Sequence, residues 1–485
     1  MKIDPDEFLT LKIAALLHDP PHKPFLIAEG GNHLKEAKCI ANGIFGEHLS
    51  KYLENELVKS ADALASSFDR WILSLIMGED HTLRLFLTKE IKLKNVLEPL
   101  LEISISYPDK EKFEEAIKNY VSLLKSVIDK VRRLREKYHL LYAFYEMLWI
   151  YRDLPIGPAD TRVPTHSIFD HNYATASMIN WKADIGGIRG LLVGIDVADT
   201  QQFISSSRKL RDLWVSSYLI SALTWYTITE LVDKLGPDVV IVPSLRMNTF
   251  YLHWLKKQPW TPQNLYELLS EFEDLVYLSK NVRNLYYELG IPPYPIMPGR
   301  VTLILPPWNY VIRIIGAYED KDIEHYFERR LAEGWKLLWN ITNRYAKARA
   351  KEGDVIWRFV YEAFETYKKQ GFFRAGFDQK PPLRIRVEAI EVDNDSMDWR
   401  LYDKKYQELT IRLAKRKYIR EDASVRLALH DLTKGSFDGR VKLGKPKESS
   451  KGFDYCTVCG KLPALVIVPR KEIDYKNYIE KFLRN

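Results

Sequence analysis

The sequence is poor in cysteine, with three in 485 residues. So few thiols exclude a disulfide framework and make a reducing cytoplasm the expected setting. Long apolar runs are also missing. The best candidate span, WVSSYLISALTWYTIT at 214–229, carries no charge. It falls short of the roughly 20 residues a helical crossing needs, and its serines and threonines read better as a buried helix. The amino terminus, MKIDPDEFLTLKIAALL, holds acidic residues and no small-residue cleavage site, so it is not a signal peptide. No membrane is expected. Charge of one sign does not dominate either: 72 Lys and Arg against 65 Asp and Glu leave +7. That mild basic excess permits an acidic polymer as partner without requiring one.

What is present is a globular chain, 46% hydrophobic and 28% charged, long enough for roughly three domains. Residues 6–150 read as mostly helical, since apolar residues recur at three- and four-residue spacing. DLPIGPADTRVPTHS (153–167), with three prolines and a glycine, is a loop, and Ser167 is placed to cap a new helix, SIFDHNYATASMINW. After residue 185 the pattern changes. Strands are expected at 187–197, 238–245, 300–307 and 382–392, with a long helix at 200–234 and another from EHYFERRLAEGW onward. The order strand-helix-strand-strand-helix-strand is the split βαβ arrangement of ferredoxin-like folds, with residues 246–299 as an insertion between the second and third strands. The fold class expected is therefore α+β. A basic stretch, RLAKRKYIRED, precedes a Gly/Lys-rich linker that leads to CTVCG.

Four stretches carry ionisable groups in apolar surroundings. LLHDPPHKPF ends an apolar run with His18 and Asp19. Alone, that pair fits a loop-capping aspartate and a packed histidine better than a metal site. KSADALASSFDRW sets Asp62 on an otherwise apolar helix face, where an unpaired carboxylate is costly to bury. GGNHLKEAKCI puts His33 at a helix start, and SIFDHNYATASMI carries Asp170 and His171. Imidazoles and carboxylates in one helical bundle are best explained by a shared cation, which would lower the pKa of a bound water and neutralise phosphate charge. Asp69 with Arg70 reads instead as a structural ion pair, and His48, His81 and His139 as surface or packing residues.

The order LLHD, SAD, DHNYATA resembles the ligand set of HD phosphohydrolases, circularly permuted. Followed by a ferredoxin-like palm, it resembles the large subunit of type III CRISPR effector complexes, most of all the Cmr (type III-B) branch. ALLHDPPHKPF, SADALASSFDRW, PADTRVPTHSIFDHN, VADTQQFISSSRKLRDLWVSSYLISAL and CTVCG all share that look. The resemblance implies a permuted HD domain over 1–184, a first palm over 185–440, and a linker with an incomplete zinc finger over 441–485. It further implies a metal-dependent nuclease acting on single-stranded DNA. His18 and Asp19 would be its catalytic pair; His18, Asp19, Asp62 and His171 its ligands to manganese, nickel, cobalt or magnesium; and His33 a contributor to a second metal. Asp170 is a weaker candidate, and His22 stands where relatives carry an aromatic. Other Cmr subunits, crRNA and target RNA are the implied partners. The alternative is an idle architectural subunit that docks crRNA-bound partners and a separate cyclase-palm chain.

The family's cyclase palm carries a Gly-Gly-Asp-Asp turn, and this sequence has none: its Gly-Gly pairs, at 30–31 and 186–187, are not followed by two aspartates. The palm here resembles the first, non-catalytic one, with ATP left to an assembled complex. Asp196 lacks a second carboxylate for a metal. Ser205, Ser206, Ser207 and Arg208 offer phosphate contacts, or equally a helix start and a surface ion pair. Cys456 and Cys459 have zinc-knuckle spacing, yet the 26 residues after Cys459 hold no Cys or His. A zinc ion would need another segment, which the resemblance places beyond residue 485, so a truncated or split subunit is expected.

Overall fold

The computed structural model describes residues 3–28, 30–67, 90–94, 98, 100–106, 109–160, 166–182, 187–198, 200–205, 207, 209–265, 268, 296–320, 322–369, 381, 383–394 and 401–418. Asp69, Arg70, His81, Ser206, Arg208, Cys456, Cys459, the Gly/Lys-rich linker and most of the expected insertion lie outside the described residues.

The amino-terminal part is a helical bundle. Helix α1 (Pro5–Leu17) starts where Asp4 accepts hydrogen bonds from the Asp6 and Glu7 amides, with Pro5 in the first turn. It is buried almost all round, the mark of a central helix. It stops at Leu17 because Asp19 precedes Pro20, a position that disfavours helical backbone. Short helices α2 (Lys23–Ala28), α3 (His33–Phe45), α4 (Glu47–Ser50) and α5 (Glu56–Ala65) follow. Then come strands β1 (Glu90–Lys94) and β2 (Glu102–Ser106) and helices α6 (Lys110–Ile128), α7 (Leu134–Tyr151) and α8 (Ile168–Lys182). Helices α1 and α5 pack on α8, and α1 on α7.

The antiparallel hairpin β1–β2, paired from Glu90↔Ser106 to Lys94↔Glu102, corrects the expectation of helix through this region. EIKLK and EISIS alternate with period two, a strand signal outweighed by the helical spacing on either side.

The second part builds a four-stranded sheet from β3 (Ile188–Ala198), β4 (Val240–Val242), β5 (Arg300–Leu305) and β6 (Arg384–Asn394). The strand order is β4-β5-β3-β6, and every neighbouring pair is antiparallel. Strand β4 is shorter than its apolar run implies, because Pro237–Val239 forms a 3-10 turn. The helix expected at 200–234 is two, α9 (Thr200–Ser205) and α10 (Leu210–Leu235), divided at the serine-rich stretch. Helix α11 (Thr249–Lys257) lies within the expected insertion, and α12 (Trp308–Ile315), α13 (Ile323–Lys351), α14 (Val355–Lys369) and α15 (Leu401–Tyr418) complete the described chain. None of the described helices is long and apolar enough to cross a membrane.

Helix α8 meets the sheet directly. Trp181 donates through Nε1 to the Leu191 carbonyl at 3.1 Å, and a Cβ at Gly190 would lie 2.5 Å from Trp181 Cδ1, so only glycine admits the indole there. A buried polar joint lies beside it. Lys12 Nζ sits 2.7 Å from Asp238 Oδ2, both side chains fully buried, and donates to the Leu235 carbonyl at 2.7 Å. Asp238 also accepts from Tyr138 Oη (2.7 Å) and Asn180 Nδ2 (2.9 Å). Burial pulls the Lys12 ammonium below its ordinary pKa, with Asp238 opposing. The joint ties α1, α7 and α8 to the turn that opens β4.

Candidate metal centre

The ends of two central helices meet at the site. His18 is the residue at which α1 stops, and Asp19 follows it. His171 lies in the first turn of α8, whose start is fixed by a reciprocal cap. The Ser167 amide and hydroxyl both donate to Asp170 Oδ2 at 2.8 Å, and the Asp170 amide donates to Ser167 Oγ at 3.1 Å. Asp62 comes from α5. The Asp19 main chain is pinned from behind, its carbonyl accepting from Asn172 Nδ2 (2.9 Å) and Tyr145 Oη (3.3 Å).

These four side chains converge. His18 Nε2 and His171 Nε2 face each other at 3.2 Å. Asp19 Oδ2 lies 3.4 Å from the first and 3.7 Å from the second. Asp62 Oδ1 lies 3.7 Å from His18 Nε2 and 3.1 Å from His171 Nε2. His18 Nδ1 is 2.7 Å from the Ala15 carbonyl. That acceptor assigns the Nδ1 proton and leaves the Nε2 lone pair aimed inward, the arrangement that orients a metal-ligating imidazole. Two inward nitrogens and two carboxylates are a donor set for a first-row divalent cation. Among the described residues, His18, Asp19 and His171 form a group whose ligand atoms lie within 4.8 Å of one another. The side chains of His18, Asp19 and His171 are buried, whereas that of Asp62 is 42% exposed. Asp62 therefore forms the wet edge of the cluster, not the buried carboxylate its apolar flanks imply.

Electrostatics follow from the crowding. Burial alone would lower His18, but Asp19 and Asp62 outweigh it and hold the imidazole above its ordinary 6.5. Burial would raise Asp19, and His18, Lys23 and His171 reverse that. Asp62, against its own desolvation, is held well below the carboxylate range by the two imidazoles it faces, His171 at 3.1 Å and His18 at 3.7 Å. A raised histidine lends stability below its unfolded value and loses it as pH rises through the folded one. The His18 contribution is therefore full below pH 6.5 and fades above it. A cation at the cluster would compete with that same proton, so its affinity should strengthen as pH rises through this window. Manganese calorimetry between about pH 6 and 8, in buffers of different ionisation enthalpy, should show proton release on binding. Affinity independent of pH would count against ligation by His18.

Other residues fall elsewhere. His33 is exposed at the first position of α3, after the Asn32 cap, and is not in the cluster. Asp170 caps α8 and pairs with Arg246. His22 is buried, its ring edge-on to Phe113 and Nε2 3.8 Å from Glu36, and burial pushes it down to about 4. His139 is wholly buried between Tyr251 Oη and the Asp233 carbonyl. Asp196 faces two guanidinium groups, Arg386 at 3.3 Å and Arg300 at 3.8 Å. Ser205 ends α9, and Ser207 Oγ lies 3.0 Å from Ser216 Oγ. Sequence reasoning missed Lys23, which opens α2 after the Pro20–Lys23 turn and whose ammonium pairs with Asp19. The four-residue spacing carried no signal, because the two prolines between them take the chain out of the helix that would bring such a pair together.

The family profile described as CRISPR-associated protein Cmr2, N-terminal, matches residues 192–340. A CRISPR system CMR subunit Cmr2 from Saccharolobus solfataricus is 36% identical over 508 residues, covering 98% of this chain and 46% of its own length. A Cmr subunit Cmr2 from Pyrococcus furiosus is 26% identical over 405 residues, covering 72% and 40%. Among solved structures, a chain of the type III-B Cmr-beta assembly in its apo state superposes with a TM-score of 0.74 at 35% identity, over 97% of this chain and 46% of that one. The likeness to Cmr2 proteins runs along nearly the whole of this chain. The same assembly bound to cognate target RNA gives 0.68 at 34% identity, over 97% and 45%. The chain spans less than half the length of the curated Cmr2 relatives it matches. The Cmr2 profile runs from within β3 through β4, β5 and α12 into α13 and stops short of β6, whereas the four clustered side chains lie ahead of it. The full-length alignment with the Saccharolobus Cmr2 spans both parts.

Proposed function

We propose that the chain is a subunit of a type III-B CRISPR effector complex whose helical part, residues 1–184, is a permuted HD domain that cleaves single-stranded DNA with a divalent cation. The observation that carries this reading is the pair of inward-facing imidazole nitrogens, 3.2 Å apart and flanked by Asp19 and Asp62. A divalent cation at the cluster would supply an acidified water and neutralise charge on the phosphate. His18, held through Nδ1 by the Ala15 carbonyl, and His171, held by the cap of α8, would be its nitrogen ligands. Asp62, half in solvent, marks the side from which a strand approaches. Lys23, 19% exposed beside Asp19, places an ammonium near an incoming phosphate.

The sheet supports a palm reading for residues 185–440. The order β4-β5-β3-β6, with antiparallel neighbours and with α10 and α13 between the strands, matches a ferredoxin-like fold. Other Cmr subunits, crRNA and target RNA are the proposed partners, and a second chain would carry the cyclase palm. A second reading, an idle docking subunit, draws on Lys23, whose ammonium already neutralises Asp19. The test is incubation of the protein with single-stranded DNA and manganese beside His18→Ala/Asp19→Ala. Cleavage by the parent alone is expected; equal cleavage by both sinks the nuclease reading, and none by either favours the docking subunit.

A further inference from the structure

The loop after β4 sends one side chain into the helical bundle. Arg246 meets Glu146 of α7 with two parallel hydrogen bonds, Nε to Oε2 at 2.8 Å and Nη2 to Oε1 at 2.6 Å. Its Nη1 donates to Asp170 Oδ1, and its guanidinium lies over the Tyr173 ring, 4.7 Å from the centroid. Arg246 and Glu146 are largely removed from water, 18% and 8% exposed, whereas Asp170 is 42% exposed. The loop is built to hold it. Leu245 is wholly buried, Asn248 caps α11 by accepting from the Phe250 and Tyr251 amides, and between them Met247 takes a left-handed backbone with φ of 52°. A non-glycine residue keeps such a conformation only where its surroundings over-determine it.

Asp170 is the next residue before His171. Its Oδ2 is occupied by the Ser167 cap and its Oδ1 by Arg246. Resting on the cation reading above, we infer that Arg246 is a positioning residue for the cluster: acting through Asp170, it fixes the first turn of α8 and so the aim of His171 Nε2. A planar fork that bonds two carboxylates on two helices does this more firmly than an ammonium, because lysine lacks the paired, coplanar donors. The arrangement also makes cation affinity answer to the loop that leaves the sheet.

Outer-shell partners of metal ligands are typically worth 10- to 100-fold in affinity. Manganese binding by calorimetry should accordingly weaken about tenfold or more in Arg246→Ala, with partial recovery in Arg246→Lys. As a control, Arg329→Ala removes the partly exposed guanidinium that pairs with buried Asp320 and should lower thermal stability without moving manganese affinity. If Arg246→Ala does not fold, Asp170→Asn carries the test, since it keeps the side-chain shape and removes the charge that Arg246 grips. A parent protein that binds no manganese overturns the cation reading and this one together. A parent that binds, beside folded Arg246 or Asp170 variants that bind within twofold of it, overturns this inference alone.

Discussion

Replacing His171 by alanine should abolish both cation uptake and cleavage of single-stranded DNA, a loss above about 100-fold, since an inner ligand matters more than the outer-shell partners that already cost 10- to 100-fold. The reason is positional. His171 Nε2 lies within 3.7 Å of His18 Nε2, Asp19 Oδ2 and Asp62 Oδ1, so its removal leaves a donor set with one nitrogen and two carboxylates. The fold should tolerate the change, because α8 is capped by Ser167 and Asp170 and locked to the sheet by Trp181. Manganese calorimetry and a cleavage assay on one preparation, with circular dichroism to show the fold intact, separate the outcomes. A folded variant that still binds manganese would move the cation site away from this cluster.

The second large effect concerns stability. Lys12→Met should lower the free energy of unfolding by about 3–5 kcal/mol, the usual cost of leaving one member of a buried ion pair without its partner. Asp238 would keep Tyr138 and Asn180 as donors but lose its counter-charge. Lys12→Met/Asp238→Asn should regain most of the loss, since the amide still accepts the tyrosine hydroxyl and carries no charge. Urea unfolding of the two variants and the parent checks this. A single variant within about 1 kcal/mol of the parent would mean that water reaches the joint.

Much of the site was legible because its residues are costly where they stand. His18 and His171 interrupt apolar helical patterns, and buried ionisable groups need a reason; Asp62 was picked out by the same pattern although packing leaves it partly in water. The four strands could also be read, being short β-branched runs bounded by glycine and proline. The hairpin at 90–106 was not, since its alternation is brief and lies between long helical segments. Arg246 could not be found at all. It follows a proline-bearing strand end and precedes a helix cap, a context that reads as loop, and its partners are 100 and 76 positions away. Lys12 was hidden by periodicity: one lysine in an apolar helix looks like its solvent face, and only packing shows that α1 has no such face. His33 is a histidine at a helix start that packing leaves in water, apart from the four that converge.

Lys12 and His18 stand six positions apart on α1, about 9 Å along a helix axis. A cation tolerates displacement of its ligands by only about 0.2 Å. Apolar packing at the far end of such a short rod would let it slide or rotate by more than that at little expense. An ammonium held by a carboxylate and a carbonyl has directions as well as depth, so it sets the rotation and register of the rod. Were the cluster to hold a cation, the buried charge pair would serve as a gauge: a costly way to hold a helix, and a suitable one when the other end must be placed to a fraction of a bond length.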